Sequence, residues 1–273
     1  CVTADLSSAF DLTTELSQCE AVVHLASRVH VMNDKSHDPL AEYRKANVES
    51  TKVLATQAAA CGVKKFIYMS SIKVNGEYTL DHAFSPSDTP YPEDPYGVSK
   101  MEAEKVLLEI ANSTKMSATI LRPPLVYGPG VKANFLSLLR IVDKAIPLPF
   151  SLIKNQRSII FFDHLCDAII MVLNSTSTAN TVYTICDDKS LSTVELINIL
   201  GANLNKPPRL LPFPTGFLKC LGLLTGRRHQ IDRLTQSLEV DSSQFKREYN
   251  WHPPYSVEDG LKETVNWYIS QCQ

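Results

Sequence analysis

Apolar residues in the first half of the chain come in short blocks, separated by stretches with helical spacing. Ala21-Val22-Val23-His24-Leu25-Ala26 is a near-continuous apolar run, the pattern of a strand buried on both faces. From Glu42 to Cys61 the apolar positions follow a helical period, and Gly62 stands where a helix end favours a left-handed residue. Lys65 to Ser70 predicts a second strand, and Gly76 to Pro95 an irregular, proline-rich loop. Tyr96 to Asn112 predicts a helix opened just after Pro95, and Ala118 to Arg122 a third strand stopped by Pro123-Pro124. Strands alternating with helices predict an α/β fold, a parallel sheet flanked by helices. Long loops at the carboxyl ends of such strands are where ligands bind.

Beyond Pro123 the pattern loosens. Helices are expected near Asn134 to Ala145, His164 to Asn174, Thr193 to Leu204 and Val257 to Ser270, with strands near Ser158 to Phe162 and Thr181 to Cys186. These elements predict a smaller second domain woven into the first. Residues 1–122 with about 158–186 form the sheet domain, and 123–157 with 187–273 the smaller α/β domain. Neither an internal repeat nor a low-complexity tract is present.

At 273 residues, 44% hydrophobic, the chain can bury a full core, which excludes disordered, collagen-like and disulfide-stapled classes. The 27 Lys+Arg against 29 Asp+Glu give a net charge of −2 and no electrostatic footprint for nucleic acid. The longest apolar stretch, Phe213 to Leu224, is broken by Pro214, Gly216 and Lys219 and falls short of the ~20 residues that span a bilayer. Seven cysteines without Cys-x-x-Cys spacing read as buried free thiols in a reducing compartment, so a soluble cytoplasmic protein is expected. The histidines show no metal-ligand spacing, Asp163-His164 reads as a helix start, and no metal site is expected.

The sharpest chemical feature is Tyr96-Gly97-Val98-Ser99-Lys100 at a helix start. Residues four apart share a helix face, so Tyr96 and Lys100 point together. A neighbouring ammonium favours the phenolate and lowers the tyrosine pKa, which suits acid/base work. The competing reading is an exposed aromatic beside a solvated lysine. Ser70-Ser71 at a strand end tips the balance, because a hydroxyl there can bind the same substrate oxygen that the phenol protonates.

With these residues the sequence resembles the extended short-chain dehydrogenase/reductase family, in its nucleotide-sugar epimerase and reductase branch, over essentially the whole chain. The resemblance implies a Rossmann-type sheet and a C-terminal substrate domain. It implies catalytic roles for Ser71, Tyr96 and Lys100, with Lys100 also on the nicotinamide ribose. Asp5 and Leu6 are similar to the pair that meets the adenine. Leu25, Ala26 and Ser27 match the strand end that lines the cofactor site, and Asn47 the helix asparagine that holds the fold beside it. Leu121 to Gly130 resembles the turn closing over the nicotinamide, with Pro123 on the cofactor. Asn134, Phe135 and Arg157 resemble positions that hold the nucleotide of a sugar nucleotide. Arg233, with Arg227-Arg228, suits a diphosphate because guanidinium forks fit phosphate oxygens, against the alternative of a solvated basic face. Trp251 and Trp267 are assigned to packing.

Departures from the pattern narrow the expectation. Ile72 and Lys73 stand where 4,6-dehydratases carry an Asp and a Glu, so elimination lacks its acid/base pair. Leu125 replaces a common asparagine, and Asn75 a usual tyrosine. Lys73 falls where relatives place residues that touch the sugar, either solvated or contacting a substrate oxygen or phosphate. No Gly-x-x-Gly-x-x-Gly turn precedes Val22. The chain therefore reads as starting at the third strand, with roughly 40 to 50 residues expected upstream, a gap in the sheet's middle, and weak dinucleotide binding by this chain alone. NAD and NADP both remain open.

The expected activity is hydride transfer at C4 of a UDP-linked hexose in surface polysaccharide synthesis. It leans to a reductase of UDP-4-keto-6-deoxy-N-acetylhexosamine, with a UDP-glucose or UDP-N-acetylglucosamine 4-epimerase as alternative. From another class stands a non-catalytic dinucleotide-binding module, although sensing relatives often lose the Tyr or the Lys. A homodimer through the helices at Glu42 to Cys61 and Tyr96 to Asn112 is implied by the family.

Overall fold

In a computed structural model, the structure describes residues 3, 5, 10–29, 36, 38–224 and 228–271. After a short helix α1 (Thr13–Leu16), the chain alternates strand and helix: β1 (Ala21–His24), α2 (Pro39–Tyr43), α3 (Ser50–Ala60), β2 (Lys65–Met69), α4 (Pro95–Asn112) and β3 (Ser117–Arg122). There follow β4 (Leu125–Tyr127), α5 (Ala133–Asp143), β5 (Ile159–Phe161), α6 (Phe162–Asn174), β6 (Thr181–Thr184), α7 (Thr193–Asn203), α8 (Thr215–Leu224), α9 (Arg228–Thr235), α10 (Ser243–Tyr249) and α11 (Val257–Gln271).

β1, β2, β3 and β6 pair in that order as a parallel sheet, with Val22 opposite Phe66, Phe66 opposite Ala118 and Ile120 opposite Val182. One face packs Leu54, Ala58, Phe66, Leu107 and Ile120 beneath α3 and α4. The other packs Ile67, Leu121, Leu165 and Val172 beneath α6. A third buried cluster, with Tyr127, Phe135, Leu139, Ile197, Leu200 and Leu261, gathers α5, α7 and α11 around the short β4–β5 pair.

Several expectations are corrected. The expected gap in the middle of the sheet is not there: the four described strands pair consecutively, and β1 is an edge. The long helix after β1 is three pieces, because residues Arg44–Glu49 form a π-helical segment between α2 and α3. Gly62 does adopt the left-handed conformation expected of it, at φ 81°. β4 and the helices α8, α9 and α10 lie outside the elements read from the pattern. Among the described cysteines, Cys19, Cys61, Cys166, Cys186 and Cys220 are free, but of these only Cys186 is buried. Trp251 is buried, its indole N–H donating to Asp167 at 2.7 Å, and Trp267 packs against the third cluster, both in packing roles. Among the described residues no helix is long and apolar enough to cross a membrane, and no group of His, Cys, Asp or Glu could hold a metal ion.

Candidate active site

Parallel pairing brings the carboxyl ends of β1, β2 and β3 side by side, and the site grows from the segments that leave them. After β2, Ser70 N donates to Leu121 O at 2.8 Å and Ile72 N to Pro123 O at 3.0 Å, so the turn carrying Ser71 is tied to the end of β3. Ser71 caps a 3-10 turn over Ile72–Val74. Asp94 caps α4 by accepting from Gly97 N at 2.7 Å, with Pro95 at the first helical position, where its missing N–H is harmless. A Cβ on Gly97 would lie 2.8 Å from Lys73 O, so glycine is what lets α4 start against that turn.

The helical spacing brings Tyr96 and Lys100 together as expected. Lys100 is 2% exposed, and its Nζ donates to Met69 O at 2.8 Å, 4.6 Å from the Tyr68 ring centroid and 5.8 Å from that of Tyr96. Burial pushes the Lys100 ammonium down to about 7, opposed by Glu104 one turn further along α4. Tyr96 departs from the expected lowering. Burial pushes its phenol up to about 12, against hydrogen bonds with Ser71 and Ser27 that favour the phenolate, so Tyr96 stands protonated. His24, at the end of β1, is held neutral: burial first, then Lys100, takes it down to about 4.

Asn47 sits in the π-helical segment, where such bulges often serve functional positions. Its amide donates to Ser99 Oγ at 2.9 Å and Arg28 O at 3.1 Å, and accepts from Arg28 N at 2.7 Å and Ser27 Oγ at 3.1 Å. Both donors and both lone pairs are thereby used within the protein. Asn47 therefore braces the β1 loop against α4. Leu25, 57% exposed, and exposed Ala26 stand at the open edge of the sheet, next to half-buried Ser27. Pro123 is buried and supports the Ser71 turn through its carbonyl, whereas Pro124 and Leu125 reach the cavity. Asp5 is exposed and does not line the cavity; Leu6, Arg227, Cys1 and Cys272 lie outside the described residues, as does the side chain of Arg228.

A cavity of about 310 Å³ collects the other expected residues: Ser71, Lys73 and Tyr96 from the sheet side, and Asn134, Phe135, Arg157 and Arg233 from the second lobe. Phe135 is buried and stacks on Tyr127 at 5.9 Å between ring centroids, while Asn134 is exposed. Arg157 is held by its backbone between Leu191 and Leu238 and donates through Nη1 to Gln236 O at 3.1 Å. Burial, then the like charge of Arg233, pushes its guanidinium down to about 10. Two cations thus share one cavity wall, the arrangement that receives an anion. Lys73 is neither solvated nor projecting into the cavity alone: its ammonium pairs with Glu77 at 2.5 Å and with Asp94.

One feature of the site has no local signal in the sequence. Beneath the Ser71 turn, buried Glu104 accepts from the Ser70 hydroxyl and binds Arg122 through both oxygens, at 2.9 and 2.5 Å. Arg122 also donates to Asn75 Oδ1 at 3.0 Å, and Asn75 Nδ2 to Ser85 O at 2.8 Å. This chain of bonds ties the Ser71 turn, α4, the end of β3 and the proline-rich loop into one unit.

Residues 1–186 match the NAD dependent epimerase/dehydratase family. The chain is 44% identical to a Vibrio cholerae UDP-glucose 4-epimerase over 267 residues, covering 97% of this chain and 81% of that protein. It is 27% identical to the N-acetyl-alpha-D-glucosaminyl-diphospho-ditrans,octacis-undecaprenol 4-epimerase of Escherichia coli O157:H7, covering 84% of this chain and 72% of that one. Its fold is that of the Bacillus cereus UDP-glucuronic acid 4-epimerase in complex with NAD, at a TM-score of 0.78 and 20% identity over 100% of this chain and 81% of that chain. A half-buried Tyr beside a buried Lys and a strand-end serine, with the Tyr and Ser on a cavity that also holds two arginines, is thus found in a chain that belongs to the NAD dependent epimerase/dehydratase family.

Proposed function

We propose that this chain transfers hydride at C4 of a UDP-linked hexose, with Ser71, Tyr96 and Lys100 as the catalytic residues, and that it reduces the ketone of a 4-keto-6-deoxy-N-acetylhexosamine. The observation that carries this reading is the shared cavity: Ser71 and Tyr96 line the same space as Arg157 and Arg233. A diphosphate on the two guanidiniums leaves the sugar to reach the Ser–Tyr pair.

The residues present fit the nicotinamide-ribose end of a dinucleotide. Leu25 offers an exposed apolar surface at the sheet edge, and the Lys100 ammonium, with one donor on Met69 O, retains others for ribose hydroxyls. When bound, a nicotinamide gives or takes the C4 hydride. Tyr96, held as a phenol, donates its proton to the C4 oxygen as negative charge builds there, and Ser71 steadies both oxygens. The wall beside Ser71 supports a 6-deoxy sugar: Ile72, Pro124 and Leu125 line the cavity there, and an apolar wall receives a methyl more readily than a hydroxyl left without a partner.

The second reading, a 4-epimerase, is favoured by the 44% identity to a UDP-glucose 4-epimerase. The two readings separate in one experiment with the full-length protein. Reduced cofactor is followed by absorbance on adding UDP-4-keto-6-deoxy-N-acetylhexosamine, while UDP-glucose and UDP-N-acetylglucosamine are followed in parallel by NMR. Stoichiometric oxidation of NADH or NADPH supports the reductase. Interconversion of C4 epimers without net cofactor use supports the epimerase. Silence in every arm overturns both and leaves a dinucleotide-binding module.

A further inference from the structure

On the second lobe, two segments far apart in sequence form a common surface. Leu148 N donates to Arg209 O at 2.9 Å, Leu211 N to Leu148 O at 2.8 Å, and Ser151 N to Leu211 O at 3.2 Å. The surface they share is apolar and open: Ile146, Leu152, Leu211 and Phe213 are all exposed. Helix α8 continues it. Leu218, 2% exposed, anchors the helix in the lobe's core, while Phe217 and Leu223 on its outer side are 55% and 63% exposed. Phe213, just before α8, lies with its ring centroid 5.1 Å from that of Phe217, and Phe217, Cys220 and Leu223 recur at the spacing of one helix face. A contiguous exposed patch of this kind marks an interaction surface.

Charge identifies the partner. No Asp or Glu occurs between Glu195 and Asp232, a stretch that holds Lys206, Arg209, Lys219, Arg227 and Arg228. None occurs between Asp143 and Asp163, which enclose Lys144, Lys154 and Arg157. Lys206 is neutralised by Asp143 at 2.6 Å, while Lys144, Lys154 and Arg209 are exposed. Among the described residues, exposed Lys144, Lys154 and Arg209 each stand two residues from an exposed apolar side chain of this surface, Ile146, Leu152 and Leu211. A second copy seated here would set like charges against each other. Aromatic and leucine side chains set among basic residues are the pattern of a helix lying in an anionic lipid interface.

We propose that α8, with the adjoining residues 146–152 and 209–214, docks this protein on an anionic lipid bilayer. The helix lies in the interface plane, Phe213, Phe217 and Leu223 entering the headgroup–acyl boundary and the basic residues meeting lipid phosphates. α8 packs against α9, which carries Arg233 to the cavity, so docking sets the substrate cavity one helix away from the headgroups.

The test is co-sedimentation of the full-length protein with vesicles of phosphatidylcholine, with and without phosphatidylglycerol, alongside the double variant Phe213→Glu/Phe217→Glu. The wild type is expected to pellet with the anionic vesicles and to be released by salt. Each substitution lowers binding about tenfold or more, the burial of one aromatic side chain written as an equilibrium factor. Turnover of a soluble UDP-sugar is unchanged in the double variant, which distinguishes lost docking from lost folding. A Phe217→Trp variant reports insertion directly, its fluorescence shifting to the blue on anionic vesicles. Failure to pellet with either vesicle, equal pelleting with both, or a dimer in sedimentation velocity that the double variant dissociates would each overturn the proposal, the last assigning the face to a second copy.

Discussion

Arg122 is buried and Arg157 half-buried, yet they are partnered in opposite ways. Arg122 meets the two oxygens of Glu104 and the amide of Asn75, so its charge is neutralised within the protein. Arg157 hydrogen-bonds a backbone carbonyl rather than a carboxylate, and burial, then the like charge of Arg233, pushes its pKa down against the weaker opposing pull of Glu77. The first arrangement fixes a turn, and the second holds positive charge in readiness for a ligand. The same side chain is thus structural or receptive according to whether a carboxylate is hydrogen-bonded to it.

The comparison is broken most severely at Arg122. Arg122→Met leaves the Glu104 carboxylate buried without its cation, so denaturant titration should show a loss of about 3–5 kcal/mol. Arg233→Ala should do the reverse. Denaturation should move little, because a like-charge neighbour is removed, while calorimetry should show UDP binding weakened by about 1.5–3 kcal/mol, the value of a charge-assisted bond. Gly97→Ala places a Cβ 2.8 Å from Lys73 O and should cost about 1–3 kcal/mol, read in the same denaturant assay.

The smallest effect is a slope. The Lys100 ammonium titrates near 7 in the folded chain against an ordinary value of 10.5. Between those values the unfolded chain binds a proton that the folded chain does not. Stability at this position therefore rises with pH across that window, by at most about 1.4 kcal/mol per pH unit, and is lowest below pH 7. The stability difference between wild type and Lys100→Met should follow that slope, and a flat difference would remove the buried, depressed ammonium from the account.

Much of this was legible in the sequence, for reasons that show where legibility stops. The strands β1, β2 and β3 announce themselves as near-continuous apolar runs, β2 and β3 buried and β1 half-buried at the edge, and α4 because Pro95 and its apolar stripe agree. Tyr96 and Lys100 were visible because four residues on a helix is a local relation. Glu104 and Arg122 were not, since 18 residues of helix, turn and strand separate them and only the sheet brings them together. β4 leaves no trace in the pattern because a three-residue strand right after Pro123-Pro124, which imitates a stop, has no period to read. The ion pair of Lys73 with Asp94 has no local signal, because Asp94 arrives from the far side of the proline-rich loop. The raised phenol of Tyr96 is likewise a property of burial, which spacing along a helix does not reveal.

The central claim is that Tyr96 moves the proton at the sugar C4 oxygen while the arginine pair holds the nucleotide. It is tested most directly by Tyr96→Phe in the full-length protein, measuring turnover of UDP-4-keto-6-deoxy-N-acetylhexosamine and calorimetric affinity for UDP side by side. The account predicts turnover lower by about 10²–10⁴-fold with UDP affinity unchanged. Turnover at the wild-type rate would contradict it.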